Sequence, residues 1–225
     1  AVAFYPFFLL YLLGVYVGEG ATPGWAQVMG FVAMILGLIT VFCTGMIYAS
    51  LKTIRQWNNP LVPVNYLAMA FSTGILLLLA LGLGDLTHVT GVLALAAALV
   101  VLAAVVKATY YFWIAQPGGP SINTATGFTR AKVQLLDPGH RFETFLQHEF
   151  GYVPADSMRR GLKAGVFVLA YLVPLILLWP AASGAATTAM WLAAVSGLLG
   201  AGVERWLFFA EARHVVNLYH GAQTT

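Results

Sequence analysis

Acidic, basic and aromatic residues are concentrated in one segment near the C-terminus, VERWLFFAEARHVVNLYHG at Val203–Gly221. It follows an apolar run, and no glycine or proline interrupts it before its last residue. If the preceding helix continues through it, two stripes form: Glu204, Phe208, Glu211 and Val215 on one, and Arg205, Phe209, Ala212 and Val216 on the other. Carboxylates can move protons and guanidiniums can donate hydrogen bonds to a carbonyl oxygen.

Two further segments combine cations with aromatic rings. Tyr48, Lys52 and Arg55 are spaced about one helical turn apart, so a continued helix would place them on one face, and Trp57 follows them. The second segment is KATYYFW, whose candidates are Lys107, Tyr110 and Tyr111. Anchoring at a membrane surface, by snorkelling cations and interfacial aromatic rings, is the alternative explanation for these segments.

Three such helix ends at one membrane level would suit a ligand with a polar head and an apolar tail. A quinone is such a ligand, since its carbonyls need hydrogen-bond donors, its ring stacks on aromatics, and its redox chemistry moves protons. The predicted quinone-binding residues are Tyr48, Lys52, Arg55, Trp57, Lys107, Tyr110, Tyr111, Arg205, Phe208 and Arg213. Glu204 or Glu211 would relay protons, with His214 in reserve. Arg55, Arg205 and Arg213 would polarise a quinone carbonyl or fix a docked partner.

The composition places these segments in a membrane. Only 8% of the 225 residues are charged and 60% are hydrophobic, with a mean hydropathy of +0.82. One soluble core cannot bury that much apolar surface, whereas lipid can cover it. A net charge of +3 is too small and too clustered for nucleic-acid binding. The single cysteine, Cys43, provides neither an intrachain disulfide nor the thiolates of a metal cluster.

Six apolar runs predict an all-α, polytopic transmembrane helix bundle that forms a single domain over 1–225. The runs are about Ala3–Val17, Trp25–Ala49, Leu61–Leu83, Val89–Ala115, Ala164–Trp179 and Ala189–Ala210. The first is short and the chain begins inside it without a methionine, so we expect the N-terminus to be incomplete. The fifth is also short and contains Pro174, where we expect a kink.

Charges assign the two sides of this bundle. The loops after the first, third and fifth spans contain Glu19, Asp85 and His88 but no Lys or Arg. All eleven basic residues fall on the opposite side: Lys52, Arg55, Lys107, Arg130, Lys132, Arg141, Arg159, Arg160, Lys163, Arg205 and Arg213. The positive-inside rule then puts both visible termini and a long loop, at about 116–163, in the cytoplasm. Tryptophans at both ends of the spans, and at none of their centres, fit the same topology.

The long loop contains an Asp137–Pro138–Gly139 turn and a short amphipathic segment, Arg141–Phe150. Its length suits the docking of a partner. None of the five histidines is mid-span, so no mid-membrane haem and no metal site is expected in this chain. A haem near the inner interface, held by His214 or His220, stays open.

Three stretches resemble the membrane anchor subunits of the dimethyl sulfoxide reductase (DmsC) family, and within it the sulfite dehydrogenase (SoeC-type) anchors. They are GMIYASLKTIRQWNNPLVPVNYLAMAFSTG at Gly45–Gly74, ATGFTRAKVQLL at Ala125–Leu136 and, most specifically, ERWLFFAEARHVVNLYHG at Glu204–Gly221. Family members usually have eight spans, so this chain looks like the last six of such a fold.

The resemblance implies a third subunit in the bacterial cytoplasmic membrane, beside a molybdopterin catalytic subunit and an iron–sulfur electron-transfer subunit. Such anchors exchange electrons between the iron–sulfur chain and the quinone pool, generally without a haem of their own, so molybdopterin and clusters are expected in the partners only. The face that carries the long loop is expected to be cytoplasmic, which favours docking of the iron–sulfur subunit there. A cytoplasmic docking face also favours sulfite oxidation with quinone reduction. Alternatives are a reductase-type anchor that oxidises quinol, a purely structural anchor and, with least support, a transporter.

Overall fold

The computed structural model describes residues 1–18, 21–82, 90–116, 118–128, 130–137, 145, 154–181 and 186–224. Helices dominate this part of the chain: α1 (Phe4–Val17), α2 (Gly24–Ala49), α3 (Leu61–Ala80), α4 (Thr90–Ala115), α5 (Ile122–Thr126), α6 (Asp156–Val166), α7 (Val173–Ala181) and α8 (Ala186–Ala210). A π-helical segment, Phe167–Leu172, joins α6 to α7, and a 3₁₀ helix, Val215–His220, follows α8. Within the described ranges there is no β-strand beyond two isolated bridges.

Five helices are long and apolar enough to cross a bilayer, namely α2, α3, α4, the continuous Asp156–Trp179 and α8. Each has at least 20 residues, which matches the length needed for a hydrocarbon layer of about 30 Å. The apolar α1 is shorter, with 14 residues. The all-α transmembrane bundle predicted from the sequence is therefore confirmed.

The fifth span is longer than its apolar run suggested. It begins at Asp156 rather than Ala164, because the polar residues before the apolar run are already helical. Asp156 lies in the first turn of α6 and Lys163 in its last, each with the charge that the helix dipole favours at that end. Part of the predicted long loop is therefore helix, in α6 and in α5. The predicted Arg141–Phe150 helix lies outside the described residues.

Pro174 is preceded by the π-helical segment rather than by regular α-helix. Proline has no N–H, and its ring would clash with the carbonyl four residues earlier in an α-helix. In the wider turn the N–H of Val173 bonds to the carbonyl of Val168, five residues back. A local π adjustment of this kind keeps backbone groups satisfied within a membrane. A kink at Pro174 stays a prediction.

The bundle is organised around α8, which packs against α3, α6, the π-helical segment and α7. Its residues Met190, Ala193 and Leu207 are fully buried, together with Leu76 of α3 and Val100 of α4. In contrast, α1 and α2 pack on each other and then on α3, and α2 is largely exposed. Side chains on α8 therefore reach the interior of the bundle, where α3 and α4 meet them.

One glycine of α8 allows the close approach of the π-helical segment. A Cβ added to Gly200 would lie 2.4 Å from the Ala170 backbone N and 2.7 Å from its Cα. We expect Gly200→Ala to lower the free energy of unfolding by about 1–3 kcal/mol, because two backbones must move apart. Denaturant or thermal unfolding in detergent measures this loss. Gly202→Ala, whose added Cβ meets nothing within 4 Å, is the control, and an equal loss in both variants would contradict the packing argument.

The predicted extension of α8 through Gly221 is wrong. The helix ends at Ala210, and the chain then turns toward the connection between α2 and α3. The N–H of Arg213 donates to Gln56 Oε1 at 3.2 Å, and the N–H of Val215 donates to the Thr53 carbonyl at 3.0 Å. These tertiary bonds replace the helical ones, so the two stripes do not extend beyond Ala210.

Candidate functional site

Charged side chains of α4 and α8 meet inside the bundle. The ammonium of Lys107 donates a hydrogen bond to Glu204 Oε1, and each side chain is only 1% exposed. At 1.5 Å per residue, about 12 Å of helix separates Lys107 from the end of α4. Charges buried at such depth cost several kcal/mol each unless they are paired. The Lys107 side chain is enclosed by the bundle and paired with Glu204, so snorkelling does not describe it.

Arg205 completes a triad of charges around the same carboxylate. Its Nε donates to Glu204 Oε2 at 2.5 Å, and its Nη2 donates to Oε1 at 2.7 Å. The guanidinium also lies 4.2 Å over the ring of Tyr66 and 4.7 Å over that of Phe208. The side chain is 27% exposed, and its Nη1 has no hydrogen-bond partner among the described residues. Arg205 is thus the partly exposed member of the triad, although its unpaired Nη1 is itself buried.

Tyrosines surround the ammonium of Lys107. It lies 4.7 Å from the ring centre of Tyr110 and 5.5 Å from that of Tyr111. The hydroxyl of Tyr110 donates to the Gln56 carbonyl at 3.0 Å. The hydroxyls of Tyr111 and Tyr171 are buried, with no hydrogen-bond partner in the part of the chain that the structure describes. Such hydroxyls are rare in proteins, where buried polar groups are usually paired.

An aromatic cluster covers one side of the triad. It consists of Tyr48, Trp57, Tyr66, Phe208 and Phe209. The rings of Trp57 and Phe208 stack at 5.5 Å, and the Trp57 indole N–H donates to the Phe208 carbonyl at 2.9 Å. That bond also satisfies one of the carbonyls left open near the end of α8.

A second group of charges surrounds a cavity of about 450 Å³ where α4 and α8 end and α6 begins. We call this cavity the basic basin. Five cations and one carboxylate line it: Arg55, Arg159, Arg160, Lys163, Arg213 and Glu211. Lys163 Nζ lies 2.6 Å from Glu211 Oε1, and Arg159 Nε lies 3.9 Å from the same atom. Glu211 thus belongs to the basin and not to the buried triad.

Tyr111 lies between the two groups. Lys163 Nζ is 4.6 Å from its ring centre, and Lys107 Nζ is 5.5 Å from the same point. The Lys163–Glu211 pair of the basin is therefore one tyrosine ring away from the Lys107–Glu204 pair of the bundle interior. The arrangement brings a solvent-facing carboxylate close to a buried one.

The predicted common face of Tyr48, Lys52 and Arg55 is wrong. Helix α2 ends at Ala49, whose carbonyl accepts a 2.6 Å hydrogen bond from the Asn58 side chain. Beyond it the chain is irregular, and Lys52 is exposed. The Arg55 guanidinium lies 4.8 Å over the Trp113 ring and lines the basic basin.

His214 has a local role in the backbone. Its Nδ1 accepts a 3.0 Å hydrogen bond from the N–H of Val216 and so caps the 3₁₀ helix. The described residues contain no group of three His, Cys, Asp or Glu side chains placed to hold a metal. His88, His140 and His148 lie outside the described residues, so the absence of a haem stays a prediction.

The model of the DMSO reductase anchor subunit (DmsC) family matches residues 1–210. The chain belongs to this family. The matched DmsC range includes Lys107, Glu204, Arg205 and the aromatic cluster, whereas Glu211, His214 and the 3₁₀ helix follow it. The resemblance drawn from the sequence is confirmed.

A curated relative of this DmsC-family chain is a sulfite dehydrogenase subunit of Allochromatium vinosum. It is 29% identical over 211 residues, which cover 91% of this chain and 63% of the relative. The chain thus spans less than two thirds of the length of that relative. No solved structure matches the chain.

Two residues of the site were not predicted from the sequence. The ring of Tyr66 lies under the Arg205 guanidinium. The rings of Tyr111 and Tyr171 both contact the ring of Phe167, and the hydroxyl of Tyr171 is buried. Tyr66 follows the Asn59–Pro60 turn by less than two helical turns, which was a usable signal for a residue at the same level as Trp57. No local pattern marks Tyr171, which lies within an apolar run.

Proposed function

We propose that this chain is the membrane anchor subunit of an oxidoreductase complex and passes electrons between an iron–sulfur subunit and the quinone pool. Membership of the DmsC family supports the anchor role. The likeness to a sulfite dehydrogenase subunit supports sulfite as the electron source. In that direction sulfite and water yield sulfate, two protons and two electrons, and a quinone takes up two electrons and two protons.

The quinone site that we propose lies at the accessible edge of the charged triad, between α3 and α8. Arg205 is the observation on which this proposal rests, because its side chain is partly exposed while its buried Nη1 has no hydrogen-bond partner among the described residues. A quinone carbonyl is an acceptor without a proton and would pair with that donor after a local shift that opens Nη1 to the ligand. Tyr66 and Phe209 would flank the ring, and apolar α2 and α3 surfaces suit its tail.

We propose that Glu204 relays protons to this site, taking up a proton from Glu211 before it passes one to the reduced quinone. Its two oxygens already accept bonds from Lys107 and Arg205, so its position is fixed directly behind the Arg205 guanidinium. A carboxylate held within hydrogen-bond reach of a reacting oxygen can contribute about 10²–10⁴-fold to proton transfer. Glu211 would exchange protons with solvent, with Tyr111 between the two glutamates. His214 caps a helix through Nδ1, so we assign the relay to the glutamates first.

We place the iron–sulfur subunit on the face that carries the basic basin, with the molybdopterin subunit bound to it. All eleven basic residues of the chain were assigned to this side from the sequence. By the positive-inside rule this face is cytoplasmic, and the chain would lie in the bacterial cytoplasmic membrane with both visible termini inside. A quinone site close to this face shortens the distance that electrons travel from the last iron–sulfur cluster of the partner subunit.

A purely structural anchor is the second candidate. The closed packing of Lys107 and Glu204, each 1% exposed, favours it, because a buried ion pair can hold helices in register without chemistry. In that case quinone would bind mostly to partner residues. Quinone-linked turnover of variants at Lys107, Glu204 and Arg205 distinguishes a quinone-reactive anchor from a purely structural one.

Isolation of the native complex tests the proposed function. We expect this chain to purify with a molybdenum-containing and an iron-containing subunit, and the complex to reduce a soluble quinone when sulfite is added. Reduction of an artificial dye by the same preparation serves as the control for the catalytic subunit. A complex that oxidises quinol with dimethyl sulfoxide would reverse the direction, and a chain isolated with no iron–sulfur companion would refute the anchor role.

A further inference from the structure

Among the described residues, the cations that line the basic basin outnumber the carboxylates that pair with them. Glu211 is paired with Lys163 and Arg159, and Arg159 also binds Asp156 at 2.7 Å. Arg55, Arg160 and Arg213 also line the basin. No carboxylate of the described residues forms an ion pair with any of these three. Three guanidiniums around one concave surface predict an anionic ligand.

The structure fixes the guanidinium of Arg55 and the backbone of Arg213. Arg55 lies 4.8 Å over the Trp113 ring, and Gly118 leaves room for it, since an added Cβ would lie 3.0 Å from its Nη2. The backbone of Arg213 is held by Gln56 through the 3.2 Å bond to its N–H. Arginines with fixed positions lose less conformational entropy on binding than free surface side chains do. Arg55 is therefore preorganised in the basin.

The position and the lining of the basin indicate what binds there. It lies where the apolar spans α4 and α8 end, and Ile114, Ala115 and Ala210 belong to its lining. The ends of spans are expected near the level of lipid headgroups. A cavity of about 450 Å³ suits a compact headgroup rather than the flat surface of a folded protein. Guanidiniums bind phosphate oxygens through paired hydrogen bonds, and basic pockets between transmembrane helices bind anionic headgroups.

We propose that the basic basin is a binding site for the phosphate group of an anionic phospholipid. Arg55 and Arg213 contact the phosphate, Arg160 adds charge at the rim, and the acyl chains follow the ends of α4 and α8. The site is separate from the proposed quinone site, since Glu204 and Arg205 do not line the basin. It does not depend on the redox role of the chain.

Lipid binding to the purified complex in a neutral detergent tests this proposal. We expect phosphatidylglycerol to raise the midpoint of thermal unfolding and phosphatidylcholine at the same concentration to leave it unchanged. Arg55→Gln combined with Arg213→Gln is expected to weaken phosphatidylglycerol binding by about tenfold or more, because charge-assisted bonds are lost. Lys132→Gln removes an exposed cation outside the basin and is the matched control.

Each other outcome overturns the assignment. If inorganic phosphate binds as tightly as phosphatidylglycerol, the ligand is a free anion and not a lipid. If phosphatidylglycerol does not bind to the intact complex, the basin is covered by a partner protein. If the double variant has the wild-type midpoint in phosphatidylcholine and still binds phosphatidylglycerol normally, the arginines do not form the site.

Discussion

Glu204→Gln is expected to lower quinone-linked turnover of the assembled complex by about 10²-fold or more, while dye-linked turnover is kept. Glutamine has nearly the shape of glutamate and still accepts hydrogen bonds, but it cannot give up a proton. The proposed site would still bind quinone beside Arg205 but would lose the ionisable group at position 204. Steady-state rates with a soluble quinone and with an artificial dye, measured on the same preparation, give the ratio directly.

Glutamine also leaves the buried Lys107 without a counter-charge. The effect of Glu204→Gln is therefore also measured in a variant that lacks the Lys107 charge. Lys107→Met and the double variant Lys107→Met/Glu204→Gln differ only in the carboxyl group at position 204. We expect the single variant to keep measurable quinone-linked turnover and the double variant to lose it. A split between kcat and KM distinguishes the roles, because loss of a proton donor lowers kcat with little change in KM. Unchanged turnover in both Gln variants would assign Glu204 a structural role only.

The second large effect concerns stability. Glu204→Met is expected to lower the free energy of unfolding by about 3–5 kcal/mol, because it leaves the ammonium of Lys107 buried without a partner. Lys107→Met should cost less, since Arg205 still binds the Glu204 carboxylate through two hydrogen bonds. The double variant Lys107→Met/Glu204→Met should recover the part of the loss that is due to Lys107, because two apolar side chains of similar volume replace that pair, while Arg205 still lacks its carboxylate.

Unfolding of the three variants in detergent, followed by helical circular dichroism, measures these differences. The test is the order of stability among the three variants, because the triad predicts that order whatever the size of each loss. A Glu204→Met variant as stable as the wild type would mean that Lys107 reaches solvent or another acceptor. Equal losses in both single variants would mean that Arg205 does not support the carboxylate.

Much of the fold could be predicted from the sequence because span length and charge asymmetry are local properties. Apolar runs gave five of the six spans with nearly the observed bounds. The start of the fifth span was missed, since Asp156–Lys163 is polar and its helical character is visible only as a short amphipathic segment. The π-helical segment before Pro174 was not foreseen, although the proline itself marked the place.

The residues of the candidate site were named from the sequence, but the contacts between them were not. Glu204, Arg205 and Lys107 were all named from their chemistry and depth, yet nothing local joins Lys107 to a residue 97 positions away in the chain. The continuation of α8 beyond Ala210 was predicted from the absence of a breaker. It fails because Gln56 and Thr53 provide tertiary hydrogen bonds that compete with the helix. The continuation of α2 past Ala49 to Lys52 and Arg55 fails in the same way, since the Asn58 side chain binds the Ala49 carbonyl from nine residues ahead.

Photolabelling of the isolated complex with a photoreactive quinone locates the quinone site itself. The proposed site predicts label on the peptides that contain Tyr66 and Arg205–Phe209, and loss of that label when excess unmodified quinone is present. Arg205→Met should reduce the label without changing dye-linked turnover. Label confined to the opposite ends of the spans, near Trp25 or Trp191, or found on the partner subunits alone, would contradict a quinone site at the Lys107–Glu204–Arg205 triad.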